Sequence, residues 1–73
     1  MNRPILLQVN NSGAWKTVAR WNAADDVAST RAHDAVELLD QINDNYTWRI
    51  ATGDGAQLVL KRWDATRGWS VTK

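Results

Sequence analysis

One histidine and three neighbouring acids come nearest, in residue type and spacing, to a metal or catalytic site. His33 precedes Glu37 by one helical turn, and Asp34 and Asp40 lie on the same side of the predicted helix. Imidazole and carboxylate groups at this spacing are typical of transition-metal ligands. One helix cannot supply a complete ligand set, however, and the sequence has no cysteine and no second histidine. We therefore interpret His33 as a solvated polar residue, and we expect no metal and no cofactor.

Catalysis would need an acid pair in a water-poor site, or a nucleophile beside a base. The helix carboxylates are expected to face water, where they act only weakly as general acids or bases. The sequence contains no phosphate-binding glycine loop, because Gly53 and Gly55 bracket an aspartate as a hairpin turn does. We expect the protein not to be an enzyme.

Charge is distributed unevenly along a chain whose net charge is only +1. Positions 23–45 hold six acids and one base, whereas the rest of the sequence holds eight bases and two acids. This division indicates a dipolar molecule with an acidic helix and basic strands.

A basic and aromatic sheet face is the candidate binding surface. Strict alternation along the strands points four cations and one indole away from the helix: these are Lys16, Arg20, Arg49, Lys61 and Trp63. Aromatic and arginine side chains are enriched in interfaces, so we expect this face to bind a protein partner or a second copy of the chain.

Two other interpretations of the same face stay open. A weak, sequence-tolerant nucleic-acid binder would place its cations on phosphates and stack bases on an exposed indole, for which Trp63 and Trp69 are the candidates. Alternatively, the lysines and arginines only solvate an open sheet face, as they commonly do on exposed strands.

An amphipathic helix over residues 30–43 must position these groups. Apolar residues recur at spacings of three and four, which places them on one core-facing stripe: they are Ala28, Ala32, Ala35, Val36, Leu39 and Ile42. Ser29 or Thr30 would cap this helix, although Asn22 offers an earlier start near Ala23. Residues 43–45 are expected to end it in a left-handed conformation.

Strands are predicted at 4–10, 15–21, 46–52 and 57–63, with turns at 10–13 and 53–55 that join them into two hairpins. Trp48 and Ile50 are expected to face the helix. Residues 69–72 are either a fifth strand, with Trp69 opposite Trp63, or a tail.

These elements define one α+β domain over residues 1–73, a two-layer ββαββ or ββαβββ fold with an antiparallel sheet and one helix on one face. Small bacterial and phage domains share this order of elements. The sequence lacks cysteine, a secretory signal and a long apolar run, so we expect a soluble cytoplasmic protein.

Overall fold

Five antiparallel strands form one sheet, and a single helix packs on one of its faces. The computed structural model describes residues 3–43, 45–55, 57–64 and 66–71. The elements are β1 (Pro4–Asn10), β2 (Trp15–Asn22), α1 (Asp26–Ile42), β3 (Thr47–Thr52), β4 (Val59–Asp64) and β5 (Gly68–Val71). The strands lie in the order β2-β1-β3-β4-β5. The predicted α+β fold is confirmed in its five-stranded form.

The core lies between α1 and the sheet. Val36 of α1 packs with Leu7, Trp48 and Ile50, all of them buried. Trp48 and Ile50 thus face the helix as predicted. We call this side of the sheet the helix side and the other the open face.

The apolar stripe of α1 is wider than its contact with the sheet. Leu39 and Ile42, both predicted to face the core, are exposed. At about 100° per residue, Ile42 lies about 120° around the helix from the buried Val36, which takes it away from the sheet. The prediction that these two residues belong to the core is therefore wrong.

The helix begins at Asp26, four residues before the predicted start. The Asp25 carboxylate caps it by accepting a 3.0 Å hydrogen bond from the backbone N–H three residues later. Ser29, one of the two predicted caps, instead accepts a 2.8 Å hydrogen bond from the indole N–H of Trp21. The predicted start is wrong because an earlier carboxylate caps the helix, and Ser29 ties α1 to β2.

The helix ends at Ile42, and the predicted left-handed closure is absent at Asn43, whose backbone is extended (φ −151°). The Asn43 N–H still donates to the Leu39 carbonyl at 3.0 Å. Asp44, part of the same prediction, lies outside the described residues. Within the described residues, no helix has the length and apolar character needed to cross a membrane.

The first predicted turn is confirmed, and the second is part of a longer loop. Gly13 adopts a left-handed φ of 91°, and its N–H donates to the Asn10 side chain at 2.9 Å. After β3, Gly53 donates its N–H to the Pro4 carbonyl at 2.8 Å. The chain then reaches β4 at Val59 rather than at position 57.

A β-bulge interrupts β2. Leu7 pairs with Ala19, but the next residue of β1, Gln8, pairs with Thr17, so Val18 is an extra residue without a partner in the register. An extra residue shifts the alternation of side chains beyond it to the opposite face. The first half of β2 therefore faces the other way from the predicted orientation.

A second irregularity of the same kind lies in β4. Ala51 pairs with Val59, whereas its neighbour Ile50 pairs with Lys61, so Leu60 is the extra residue. Residues of β4 beyond Leu60 are therefore rotated to the faces opposite those that strict alternation predicts.

Candidate functional site

The five residues predicted to share one face lie on two faces. Arg20 and Arg49 are on the open face, as predicted, opposite Leu6 and Gln8 respectively. The other three are on the helix side, where Lys16 pairs with Val9, Lys61 pairs with Ile50, and Trp63 packs against the core. The predicted orientation of Lys16, Lys61 and Trp63 is therefore wrong, and the two bulges are the physical reason.

His33 packs against neighbouring residues, so the prediction that it is a solvated side chain is wrong. Its Nδ1 lies 2.6 Å from the Ser29 carbonyl oxygen, its Nε2 lies 3.1 Å from Lys61 Nζ, and its ring lies 4.9 Å from that of Trp69. A carbonyl only accepts and an ammonium only donates, so Nδ1 carries the hydrogen and Nε2 accepts. Among the described residues, no group of three or more His, Cys, Asp or Glu is arranged to hold a metal ion.

Three arginines share the open face. Arg20 lies on β2, Arg49 on β3 and Arg62 on β4, where Arg62 pairs directly with Arg49. The bulge in β2 adds Trp15 and Thr17 to this face, because they pair with Asn10 and Gln8. We call this surface the arginine face; it consists of Arg20, Arg49, Arg62, Gln8, Thr17 and Trp15.

Arg49 is held in one orientation at the centre of the arginine face. Its Nε donates a 2.7 Å hydrogen bond to Gln8 Oε1, and its guanidinium carbon lies 4.1 Å from the centre of the Trp15 ring. Gln8 in turn is buried, and its amide nitrogen lies 3.4 Å from Thr17 Oγ1. A guanidinium fixed by a hydrogen bond and an indole loses less freedom when it binds an anion.

The electrostatics of this site are unfavourable in the free protein. Burial, and then the positive charge of Arg62, lower the pKa of the Arg49 guanidinium. Within the described part of the chain, none of Arg20, Arg49 and Arg62 forms a salt bridge with an acid. Like charges directly opposite each other in a sheet are destabilising. The arginine face is therefore a concentration of positive charge that an anionic ligand would neutralise.

The floor of the open face is apolar. Leu6 and Ala51 are buried although no helix covers them. They pair with Arg20 and Val59 in adjacent strands, so the longer side chains around them enclose this floor. The arginine face thus combines apolar contact area with charge.

None of the five tryptophans offers a free ring on the open face. Trp48 is buried, and Trp21 is tied to the helix by its hydrogen bond. Trp63 and Trp69 pair on the helix side with ring centres 5.5 Å apart. Trp15 is half-buried beneath the Arg49 guanidinium. The prediction that Trp63 or Trp69 is an exposed platform is wrong, although their predicted pairing is confirmed.

Sequence reasoning missed Trp15, Thr17 and Arg62 as residues of this face; Trp15 and Thr17 were expected to face the helix. One signal was present in β2, where alternation placed the apolar Val18 on the same outward face as two cations. Such a conflict between hydrophobic pattern and charge is what a bulge produces. No comparable conflict marks Arg62.

Comparisons of the chain with protein-family models, with curated proteins and with solved structures found no match. The class of protein is therefore defined by its own fold and surface: a small α+β domain with three arginines on an open sheet face.

Proposed function

We propose that the protein is a non-enzymatic binding module whose arginine face binds an acidic segment of a partner protein. The observation that carries the proposal is the pair Arg49 and Arg62, side by side on adjacent strands and, among the described residues, in no salt bridge with an acid. Guanidinium groups bind carboxylates through two parallel hydrogen bonds, which gives both strength and orientation.

A protein partner is favoured over single-stranded nucleic acid, which is the second candidate. Nucleic acids also neutralise arginines, but sequence-tolerant binders of single strands stack bases on exposed aromatic rings. The one indole of the arginine face, Trp15, already has the Arg49 guanidinium against its ring. Binding through carboxylates requires no free ring, so it fits the geometry better.

Self-association through this same face is disfavoured. Two copies placed face to face would bring six arginines together, three from each copy, whereas β4 contributes one acid per copy to this face, Asp64. Like charges brought together in an interface oppose association. The partner therefore carries the negative charge. The cysteine-free sequence is compatible with a soluble protein that performs this role in the cytoplasm.

Titration with a peptide rich in glutamate and aspartate tests the proposal. The matched control is a peptide of the same length with glutamine and asparagine in their place. We expect binding of the acidic peptide only, and we expect it to weaken with added salt because exposed charges are screened.

Two double variants with the same change in net charge locate the site. Arg20→Gln with Arg62→Gln removes two charges from the arginine face, whereas Lys16→Gln with Arg67→Gln removes one from the helix side and one from the β4–β5 turn. The first should weaken binding by about tenfold or more and the second by less than about threefold. Equal losses would mean that net charge alone governs binding. Tighter binding of a single-stranded oligonucleotide than of the acidic peptide would favour the second candidate.

A further inference from the structure

The side of α1 that faces away from the sheet carries a second set of apolar residues, Val27, Leu38 and Ile42, which no described residue covers; we call it the outer stripe. At about 100° per residue, Val27, Leu38 and Ile42 fall within about 60° of one another, on the side opposite the buried Val36. They are 60, 61 and 82% exposed. Arg31 and Asp34 lie between Val27 and Leu38 on the same side of the helix. Large apolar side chains exposed at both ends of one helix side indicate a surface that another molecule covers.

Apolar surface continues from this stripe into a groove between α1 and β2. The groove has a volume of about 550 Å³, and its lining includes Val18, Ala28, Ala35 and Leu39. Val18, the extra residue of the β2 bulge, is itself 55% exposed. The outer stripe and the groove together form one continuous surface, which meets the arginine face only at Arg20, on the edge strand β2.

We propose that this surface binds a second copy of the same chain, with the two α1 helices antiparallel across a two-fold axis. In that arrangement, Val27 of each copy lies opposite Ile42 of the other, and Arg31 lies opposite Leu38 of the other. Each apolar end of the stripe then meets an apolar end. The aliphatic stem of Arg31 covers Leu38 of the second copy.

Charge complementarity selects a second copy as the occupant. Arg31 is the only arginine or lysine of α1 and lies within the outer stripe. In the described chain it forms no salt bridge, even with Asp34 three residues later. In the antiparallel pair, Asp34 of the second copy is one turn from Leu38 and within reach of Arg31, and symmetry forms this ion pair twice. A parallel pair would instead bring the two Arg31 side chains together.

Pairing through an edge of the sheet is the competing mode of self-association; the bulge opposes it at the β2 edge, and the Val71→Gln variant tests the β5 edge. Val18 interrupts the regular row of backbone groups that strand addition needs. The contact between helices spans sixteen residues, 27–42, or about 22 Å, so it is smaller than a standard interface. We therefore expect a dimer that dissociates on dilution.

Sedimentation velocity of the full chain, from micromolar to millimolar concentration, tests this dimer. Leu38→Gln and Ile42→Gln, both at exposed positions, should each weaken dimerisation by about tenfold. The matched control Val71→Gln, at an exposed position on the edge strand β5, should leave it within about twofold. Circular dichroism checks that each variant is folded.

A charge swap distinguishes the antiparallel helix pair from other contacts. Arg31→Asp and Asp34→Arg alone should each weaken the dimer by about tenfold, and the double variant should recover to within about threefold of the original. A monomer at all concentrations, failure of the double variant to recover, or an equal loss in Val71→Gln would overturn the proposal. Because Arg62 does not line the groove and lies on the other face of the sheet, Arg62→Gln should dimerise normally, so this test is independent of binding at the arginine face.

Discussion

Arg49 and Arg62 stand directly opposite each other on β3 and β4, on the face of the sheet that no helix covers. The Arg49 guanidinium is further fixed by Gln8 and Trp15, so it cannot simply turn away from its neighbour. A repulsive pair held in place lowers the stability of the free protein. Such local destabilisation is common where a surface is shaped for binding rather than for folding.

The first prediction follows from this repulsion. Arg62→Glu replaces a like-charge pair by an attractive one, so the free energy of unfolding should rise by about 1 kcal/mol. Urea denaturation measures it, with Arg67→Glu in the β4–β5 turn as the control of equal charge change, expected within about 0.5 kcal/mol of the original. A loss of stability in Arg62→Glu would contradict the geometry of the pair.

A second prediction concerns the buried amide that orients Arg49. Gln8→Met leaves the Arg49 Nε without its 2.7 Å partner, and it should lower the free energy of unfolding by about 1–3 kcal/mol. Thr17→Val removes only the longer 3.4 Å contact and should lower it by less than about 1 kcal/mol. Thermal and urea unfolding of both variants check the order; the reverse order would show that Gln8 does not hold Arg49.

A third prediction tests where the helix begins. Asp25→Ala removes the capping carboxylate and should destabilise the protein by about 1 kcal/mol. Thr30→Ala, at the start predicted from sequence, should be neutral or slightly stabilising, since position 30 is inside the helix and alanine is the better helix former. Destabilisation by Thr30→Ala alone would support the later start.

A fourth prediction tests whether Trp63 lies on the helix side of the sheet, as in the structure, or on the open face, as predicted from sequence. Because this indole packs against Trp69 and the core, Trp63→Leu should lower the free energy of unfolding by about 1–2 kcal/mol. The exposed Val71→Ala should change it by less than about 0.5 kcal/mol. A Trp63→Leu variant as stable as the original would put the indole back on the open face.

The order of elements could be predicted from the sequence because each depends on a local pattern. Apolar residues repeat every two positions in the strands and every three to four in the helix, which indicated both kinds of element. Gly13 adopts the left-handed φ that the first turn was predicted to need. The helix start could not be predicted, because Asp25 and Ser29 are both good caps and tertiary contact with Trp21 decides between them.

Which residues form the candidate site depends on how neighbouring strands pair, and the sequence of one strand alone does not determine that pairing. Arg20 follows Val18, in the half of β2 that faces as predicted, and Arg49 lies on β3, which has no extra residue, so alternation placed both correctly. Lys16 precedes the extra residue of β2 and Lys61 follows that of β4, and each extra residue turns its lysine to the helix side. Bulges arise from pairing between strands distant in sequence, so strict alternation fails there.

The indole N–H signals in an NMR titration with the acidic peptide test the arginine face most directly. Each of the five tryptophans gives one signal, and only Trp15 lies on the open face. Binding at the arginine face should shift the Trp15 indole signal and the Arg49 Nε–H signal, with little change at Trp48, Trp63 and Trp69. Shifts confined to Trp63 and Trp69, or no shift at Trp15 at saturating peptide, would contradict binding at this face.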